Sequence, residues 1–370
     1  MRKKVLFCAS TASHLLNFHL PYLKAFQEKG FEVWAAAANM REIPYADHTV
    51  ELPFQKSMFS FSNVKAVFQA RRLLKEQGFS LVSLHTMLAS AVVRAAVLLL
   101  KKRPKVVNTV HGYLFGEASG AKKWAYLIPE KLCARVTDAT MVMNEEDLRL
   151  AEKYRLAGKK LVKVRGMGLE LSRYRALTAT EKTRRREELG YSGGDVLAVY
   201  AAEFSNRKNQ ALLLRAFAQA ARVCPRLRLI LAGSGANWEA CKKLASELGL
   251  TGKVDFPGYL PQMEDWYPVC DIAVSTSLSE GLPFNIMEAM ACALPVAASR
   301  VKGHADLVED GVNGLLFDSG SADQLADCLK RLYDEAGLRE SLGKAGRDKV
   351  RGYSLEEVFP EIMEIYGAVL

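Results

Sequence analysis

Two glutamates and an apolar turn stand close together between Ser275 and Pro295. Glu280 lies in the turn, and Glu288 follows eight residues later in a stretch whose apolar spacing predicts a helix. Eight residues cover close to two helical turns, so both carboxylates are expected to face the same side. The first-turn amides, around Pro283 to Asn285, lack acceptors within the helix and carry partial positive charge. These amides could bind a phosphate, and Glu288 could bind the hydroxyls of a ribose. The arrangement therefore predicts a nucleotide-sugar site.

The wider pattern around the two glutamates is more distinctive than their spacing. It reads S-x-x-E-G-L-P from Ser277, continues with E-A-M-A from Glu288 and ends with P-V at Pro295. This pattern resembles the donor motif of the family 4 retaining glycosyltransferases, which have the GT-B fold. The resemblance implies an α/β protein of two Rossmann-like, doubly wound parallel-sheet domains that face a central cleft. It also implies a retaining, metal-independent enzyme of the hexosyltransferase type.

A second polar cluster follows the first predicted strand of the second half. The loop from Ala202 to Asn209, A-E-F-S-N-R-K-N, is similar to the phosphate loop of this family, usually G-R-L-x-x-x-K-G. Lys208 stands at the family's lysine and is expected to hold the pyrophosphate, whereas Glu203 replaces the family's arginine. Arg207 is expected to supply the missing guanidinium, because that planar group can bind two oxygens at once.

These positions give the candidate site. The predicted catalytic residues are His111, Glu280 and Lys208. The predicted donor-binding residues are Arg207, Lys208, Asn209, Gly233, Gly235, Tyr259, Gly281, Leu282, Pro283, Phe284, Asn285 and Glu288. The acceptor-side candidates are Ser13, His14, Asn17 and His85. No D-x-D follows a strand where it could hold magnesium, so no metal is predicted. No cofactor is expected beyond the nucleotide-sugar co-substrate. The resemblance favours a UDP-linked sugar, because UDP is usual in this family.

Two predicted strands each deliver a histidine at their carboxyl end. His85 follows the strand at 81–84, and His111 follows the strand at 106–109. Ligands of open α/β sheets bind at these ends of the strands. The H-G dipeptide at His111 also resembles a family position near the transferred sugar. His111 is therefore predicted to act in transfer, whereas His85 could merely line the cleft.

The segment after the first strand, S-T-A-S-H-L-L-N-F-H at 10–19, lacks the G-x-G-x-x-G pattern of a dinucleotide fold. We therefore predict no nicotinamide site there. Residues 11–17 are predicted to form a loop, with a helix beginning at about Phe18. In the resembling family this loop borders the acceptor side of the cleft, which is why Ser13, His14 and Asn17 are candidates. A structural or solvated role for His14 and His19 stays open.

Length and composition indicate a globular protein of two domains. The chain has 370 residues, of which 49% are hydrophobic and 25% charged, and one core rarely grows to this size. The predicted domains are 1–175 and 190–354, with a linker at 172–192 and a helix at 355–370 that packs back on the first domain. Seven cysteines without C-x-x-C spacing argue against a disulfide framework or a zinc site and fit a reducing cytoplasm.

Charge is distributed unevenly along the chain. Residues 1–190 carry a net charge of +16 and residues 191–370 a net charge of −6, which indicates an anionic partner for the first half. The predicted helix at 122–135 mixes lysines with Trp124 and other apolar residues, as interfacial helices do. The longest apolar stretch, 89–100, is too short to span a bilayer. We therefore expect a cytoplasmic protein bound peripherally to the inner face of the plasma membrane, unless these lysines only solvate a packed helix.

The predicted function is transfer of a sugar, with retention, from a nucleotide-sugar to a lipid-linked or growing polysaccharide acceptor. P-Y-A-D at 44–47, R-K-N at 207–209 and K-G-H-x-D-L at 302–307 most resemble bacterial capsule and exopolysaccharide transferases. One alternative is a UDP-sugar 2-epimerase of the same fold, against which the long glutamate motif argues. Another is a basic nucleic-acid-binding protein, which leaves the second half unexplained and lacks a recognition motif.

Overall fold

The computed structural model describes residues 2–55, 60–116 and 118–370. The chain divides into two compact units. Unit 1 contains residues 1–168 and 358–370, and unit 2 contains residues 169–357. Each unit has its own parallel sheet and its own apolar core.

Unit 1 alternates strands with helices. Its strands are β1 (Lys4–Thr11), β2 (Glu32–Ala38), β3 (His48–Glu51), β4 (Leu81–His85), β5 (Lys105–Val110), β6 (Ala139–Val142) and β7 (Lys160–Lys163). Its first helices are α1 (Ala12–Phe18), α2 (Leu20–Glu28), α3 (Phe61–Gln77), α4 (Met87–Leu98), α5 (Gly120–Cys133) and α6 (Glu145–Tyr154). In the described part of the unit, the strands form one sheet in the order β3-β2-β1-β4-β5-β6-β7.

The centre of this sheet explains its sequence pattern. Residues 5–9 of β1 are all buried, because a parallel strand covered by helices on both faces is apolar throughout. β1 pairs with β2 on one side and with β4 on the other. The direction in which strands are added therefore reverses between β1 and β4. Such a switch point leaves a crevice at the carboxyl ends of the strands, where ligands of this architecture bind.

Unit 2 repeats the plan. Its strands are β8 (Val196–Ala201), β9 (Leu227–Ala232), β10 (Val254–Gly258), β11 (Ile272–Ser275), β12 (Val296–Ser299) and β13 (Gly314–Phe317). Its helices are α7 (Ala179–Glu188), α8 (Gln210–Ala220), α9 (Trp238–Glu247), α10 (Met263–Trp266), α11 (Phe284–Ala291), α12 (His304–Leu307), α13 (Ala322–Asp334) and α14 (Ala336–Val350). The sheet order is β10-β9-β8-β11-β12-β13, so its switch point lies between β8 and β11.

The last helix, α15 (Leu355–Val369), begins in unit 2, and its residues from 358 onward belong to unit 1. Tyr366 is buried, and its hydroxyl lies 2.7 Å from Ser83 Oγ on β4. Phe359 stacks on Tyr22 of α2 at 5.3 Å between ring centroids. The core of unit 1 thus includes side chains from both ends of the sequence.

The linker predicted at 172–192 contains a helix, α7, over ten of its residues. Thr178 and Glu181 make a capping box at its start, which satisfies amides that a helix leaves unpaired. The helix docks through Arg186, which is buried and donates to Asp271 Oδ2 at 2.5 Å and to the Val269 carbonyl at 2.8 Å. A helix held by a buried ion pair lacks the apolar periodicity on which the prediction depended.

The structure differs from the sequence prediction in two other places. The loop predicted at 11–17 is α1, whose Ala12 and Leu15 face the core. The strands β3 and β7 were not predicted; both are short, largely polar edge strands without a continuous apolar run. Among the described residues, all seven cysteines are free thiols. A search of the described residues finds no helix long and apolar enough to cross a membrane.

Candidate functional site

Several of the residues predicted to bind the donor lie on two loops at the switch point of unit 2. The loop at 202–209 leaves the carboxyl end of β8, and the loop at 276–283 leaves the carboxyl end of β11. Because β8 and β11 are neighbouring parallel strands, their loops meet at the same edge of the sheet. This edge is where the doubly wound architecture places its ligands.

Two cations and one carboxylate meet between these loops. Lys208 Nζ donates to Glu280 Oε1, and Arg207 Nη1 lies 3.0 Å from Glu280 Oε2. Arg207 also donates to the Ser279 carbonyl at 2.9 Å. The glutamate is only 8% exposed, whereas the arginine side chain is 46% exposed. We call Arg207, Lys208 and Glu280 the cation–glutamate cluster, and it carries a net charge of +1.

The electrostatics of the cation–glutamate cluster keep Glu280 ionised. Burial raises the pKa of its carboxyl, but Lys208 and Arg207 outweigh that effect and hold the pKa at about 2. Burial lowers the pKa of Lys208, and the neighbouring Glu280 opposes this shift. The carboxylate therefore fixes two cations that would otherwise be costly to hold together in a partly buried loop.

Hydroxyl groups beneath the cation–glutamate cluster hold both loops in place. Tyr200 on β8 donates to the Lys208 carbonyl at 3.1 Å and lies 2.9 Å from Ser277 Oγ. Thr276 Oγ1 lies 2.9 Å from the Lys208 carbonyl and 3.0 Å from the Asn209 carbonyl. Asn209 has a φ of 51° and is the N-cap of α8. The backbone that carries Lys208 is thus fastened directly to the loop that carries Glu280.

Sequence reasoning missed the contribution of Gly303 and His304, at the start of α12. His304 is buried, with Nε2 3.1 Å from Ser275 Oγ and Nδ1 2.8 Å from the Ser299 carbonyl. Burial lowers its pKa to about 4. Gly303 has a φ of +76°, and a Cβ there would lie 2.7 Å from the Gly281 carbonyl. The K-G-H signal at 302–304 was visible in the sequence, but only the structure shows that these residues support the glutamate turn.

The turn at 280–283 leads into α11, whose first residue is Phe284. Gly281, Leu282 and Pro283 are buried. Asn285 donates from Nδ2 to the Ala201 carbonyl at 3.2 Å, which ties the start of the helix to the end of β8. Among the described residues, no side chain caps this end of the helix, so its first-turn amides point toward the loop edge of the sheet.

Glu280 and Glu288 do not share one helix. Glu280 lies four residues before α11, so the two-turn spacing argument does not apply to it. Glu288 is half-buried on α11. Burial raises its pKa, while the nearby Tyr174 and Arg173 oppose the shift. Arg173 in turn donates to Glu264 at 2.5 Å. The two glutamates therefore stand in different charge environments, one beside cations and the other beside a phenol.

Gly233 and Gly235, two of the predicted donor-binding residues, lie close to the loop at 202–209. A Cβ on Gly233 would lie 2.0 Å from the Ala202 carbonyl, and one on Gly235 would lie 2.4 Å from the Phe204 carbonyl. Their φ values of +138° and +152° also favour glycine. These glycines let the loop after β9 pack against the loop after β8. Tyr259, another predicted donor-binding residue, is 71% exposed after β10.

Unit 1 contains a second cluster at its own switch point. His14 lies on α1, His19 between α1 and α2, His85 at the end of β4, and His111 just after β5. The ring centroids of His19 and His85 are 3.7 Å apart, and those of His14 and His111 are 4.6 Å apart. We call these four residues the histidine cluster. The acceptor-side candidates Ser13 and Asn17 lie at exposed positions of α1.

The nitrogens of the histidine cluster are largely unsatisfied. Burial lowers the pKa of all four rings, that of His14 to about 4, so the rings are neutral at physiological pH. Within the described residues, five buried ring nitrogens have no hydrogen-bond partner: His14 Nε2, His19 Nδ1 and Nε2, His85 Nδ1, and His111 Nε2. His85 Nε2 is satisfied, because it lies 2.9 Å from Ser83 Oγ. Sequence reasoning had made His14, His85 and His111 site candidates, and it had named His19 only with a structural or solvated role left open.

Known proteins resemble both units. The profile described as "Glycosyl transferase 4-like" matches residues 4–142, and that described as "Glycosyl transferases group 1" matches residues 181–349. The chain is 32% identical to the putative glycosyltransferase EpsD of Bacillus subtilis (strain 168) over 372 residues, which cover 100% of this chain and 98% of the relative. It is 30% identical to the lipopolysaccharide core biosynthesis glycosyltransferase LpsE of Rhizobium meliloti (strain 1021) over 166 residues, 45% of this chain and 48% of LpsE.

Solved structures confirm the predicted α/β GT-B fold. The structure of HepE from Anabaena in complex with UDP and glucose aligns with a TM-score of 0.81 and 18% identity over 99% of this chain and 100% of HepE. The structure of WaaG, a glycosyltransferase involved in lipopolysaccharide biosynthesis, aligns with a TM-score of 0.79 and 16% identity over 98% and 99% of the two chains. From the full-length similarity to EpsD and the matches to both family profiles, the chain belongs to the family 4 glycosyltransferases.

Proposed function

We propose that this glycosyltransferase takes a sugar from a UDP-linked donor and transfers it, with retention, to a lipid-linked or growing polysaccharide acceptor. The observation that carries the proposal is the cation–glutamate cluster at the switch point of unit 2. Two comparisons support it. The HepE structure contains UDP and glucose, and EpsD is similar along the whole chain.

The cation–glutamate cluster suits a diphosphate leaving group. As the bond to the sugar breaks, negative charge grows on the diphosphate, and fixed cations nearby stabilise it. Lys208 supplies a compact ammonium, and the exposed Arg207 supplies a guanidinium that can bind two oxygens. The first-turn amides of α11 add partial positive charge at the same edge. Glu280 holds the cations in place and, in this proposal, orients hydroxyls of the donor sugar.

Glu288 is proposed to bind the ribose. Its carboxylate is half-buried on α11, beside Tyr174. A carboxylate has two oxygens and can accept hydrogen bonds from the two neighbouring hydroxyls of a ribose. His111 is proposed to act near the transferred sugar, as the H-G dipeptide first suggested.

The nucleotide-sugar assignment is tested by measuring the binding of a panel of UDP- and GDP-sugars to the full chain by calorimetry. Charge-assisted hydrogen bonds contribute roughly 1.5–3 kcal/mol each, so Glu288→Ala is expected to weaken UDP-sugar binding about 10- to 100-fold. The exposed Glu239, on α9 of the same unit, provides the control variant Glu239→Ala. Unchanged binding in the Glu288 variant would contradict the ribose assignment. The products of the reaction distinguish this activity from the 2-epimerase alternative. A glycosyltransferase moves the sugar to an acceptor, whereas an epimerase converts the free UDP-sugar.

We also propose that the donor chemistry needs no magnesium or manganese, because Lys208 and Arg207 supply the charge that a hard cation would bring. Sugar transfer by the EDTA-treated protein is expected to be the same whether Mg²⁺ or Mn²⁺ is added or withheld. Loss of activity that Mg²⁺ or Mn²⁺ restores would refute this proposal.

A peripheral attachment to anionic membranes is proposed for unit 1. On α5, Trp124, Ile128 and Leu132 are exposed at four-residue spacing and form one apolar stripe. Lys131 and Arg135 line a surface groove of about 410 Å³ with Ile128 and Leu132. An apolar stripe flanked by cations is the composition of an interfacial helix, and each cation near an anionic leaflet contributes about 1 kcal/mol. The basic run at 184–186 belongs to unit 2.

The membrane proposal is tested with liposomes that contain or lack anionic lipid. The double variant Lys122→Glu, Lys123→Glu is expected not to sediment with anionic liposomes. Added salt is expected to weaken the binding of the parent chain, since charges are screened within about 8 Å at physiological ionic strength. The adjacent pair Lys242→Glu and Lys243→Glu, on α9 of unit 2, is the matched control and should bind as the parent does. Equal sedimentation with neutral and anionic liposomes would contradict the electrostatic attachment.

A further inference from the structure

The histidine cluster has more unsatisfied polar atoms than its surroundings explain. Five ring nitrogens without partners lie together among the described residues. A buried polar group without a partner costs about 1–3 kcal/mol, and folded proteins leave few such groups. His19 and His85 are fully buried. A cluster of this kind indicates that something outside the chain completes it.

The geometry limits what that occupant is. One ring nitrogen from each of His14, His19 and His111 lies within 4.8 Å of the others. Around a tetrahedral zinc ion with bonds of 2.0–2.1 Å, two ligating nitrogens stand about 3.3 Å apart. The rings would therefore close by about 1.5 Å at most, through small side-chain rotations. No hydrogen bond to a described residue holds His14 Nε2, His111 Nε2 or either nitrogen of His19 in its present place.

We propose that His14, His19 and His111 bind a divalent transition-metal ion of the Zn²⁺ type. Neutral imidazoles suit zinc, cobalt, nickel and copper, whereas magnesium and calcium prefer oxygen ligands. Three histidines leave the fourth tetrahedral position open to water or to an oxygen of a bound ligand. The site lies in unit 1, so it is separate from the proposal that no magnesium or manganese acts on the donor diphosphate in unit 2.

His85 is a positioning residue in this arrangement. Its ring packs against His19 at 3.7 Å between centroids. Its Nε2 is anchored 2.9 Å from Ser83 Oγ, which lies 2.7 Å from the Tyr366 hydroxyl. This anchored ring restricts the tilt of His19 and shields it from water.

The test is metal binding to the full-length chain after removal of bound metal. Zn²⁺ is titrated in competition with a chromophoric chelator, and Co²⁺ is added separately for its visible absorption. We expect one ion per chain and a Co²⁺ spectrum typical of tetrahedral nitrogen coordination. His14→Gln and His111→Gln each remove a direct ligand, so each should lower Zn²⁺ affinity by more than the roughly 10- to 100-fold that loss of an outer-shell partner costs. The exposed His48, on β3 of the same unit, provides the control His48→Gln, which should bind like the parent.

Several results would overturn the proposal: no stoichiometric binding by the parent chain, affinity retained in the His14 and His111 variants, or equal loss in the His48 variant. A strong near-ultraviolet band from cobalt–thiolate bonds would show that cysteines bind the ion instead. Circular dichroism checks that the variants are folded. Should His111→Gln unfold, the half-buried His14 and the spectrum of the parent chain still decide the outcome. Zn²⁺ should also raise the melting temperature of the parent but not that of His14→Gln.

Discussion

The cation–glutamate cluster and the histidine cluster occupy the same place in two sheets of the same design. One lies at the carboxyl ends of β8 and β11, and the other at the carboxyl ends of β1, β4 and β5. In the first, Glu280 pairs with both cations. In the second, five nitrogens lack a partner among the described residues. The difference suggests that unit 2 carries a site organised before its ligand arrives, whereas unit 1 carries one that its ligand must complete.

The largest expected effect comes from removing Lys208 from the cation–glutamate cluster. Lys208→Ala should lower kcat by about 10²–10³-fold, the usual loss when one group that stabilises developing charge is removed. Lys242→Ala, an exposed lysine of the same unit, should leave kcat unchanged. Steady-state kinetics with saturating donor measure both. A Lys208 variant with near-parental kcat would show that the pairing is structural only.

The ion pairs of Glu280 should also appear in the pH dependence of stability. Its pKa falls from the ordinary 4.5 to about 2 in the folded state. The ionised carboxylate therefore stabilises the fold above pH 4.5 and loses this contribution as the pH falls toward 2. Glu280→Gln should lower the free energy of unfolding at neutral pH by roughly 3 kcal/mol. Urea unfolding should show this gap narrowing between pH 4.5 and pH 3. A constant gap over that range would contradict the assignment.

The histidine cluster is expected to affect sugar transfer without affecting UDP binding, unlike the cation–glutamate cluster. His111→Ala should reduce sugar transfer at saturating donor by about 10- to 100-fold, because misplaced groups near a reacting centre cost about this much. UDP binding should stay close to that of the parent, since the donor contacts lie in unit 2. Calorimetry with UDP and transfer assays measure the two quantities. Equal losses in both would place His111 in nucleotide binding, and an unfolded variant would show that it is structural.

The smallest expected effect has the opposite sign. His19→Leu removes two unpartnered nitrogens from a fully buried position, and it should raise the free energy of unfolding of the metal-free protein by about 1 kcal/mol. His48→Leu, at an exposed site, should bring no such gain. Urea unfolding compares the two variants. A destabilised His19 variant would show that the ring is needed for packing, and that the cluster is less unsatisfied than its nitrogens indicate.

The sequence predicts this architecture well where the signal lies within a short stretch of the chain. The apolar runs of β1 and β8 and the motif at 277–296 indicated parallel sheets and the family. The helix α7 was missed because its anchor, Arg186, pairs with Asp271, a residue 85 positions away. The same holds for His19, which meets His85 and His111 only in the folded chain. Such contacts form between residues that are far apart in the sequence. The local spacing of apolar residues therefore cannot predict them.

The division of unit 1 between two parts of the chain has a consequence for synthesis on the ribosome. Tyr366, Ile362 and Val358 fill the core of unit 1, yet they are made after all of unit 2. Unit 2 can complete its core as soon as residue 357 has emerged, whereas unit 1 must wait with part of its apolar surface uncovered. The domain translated first is therefore expected to be the last to mature, and a stalled chain that ends before α15 would present it to chaperones and proteases.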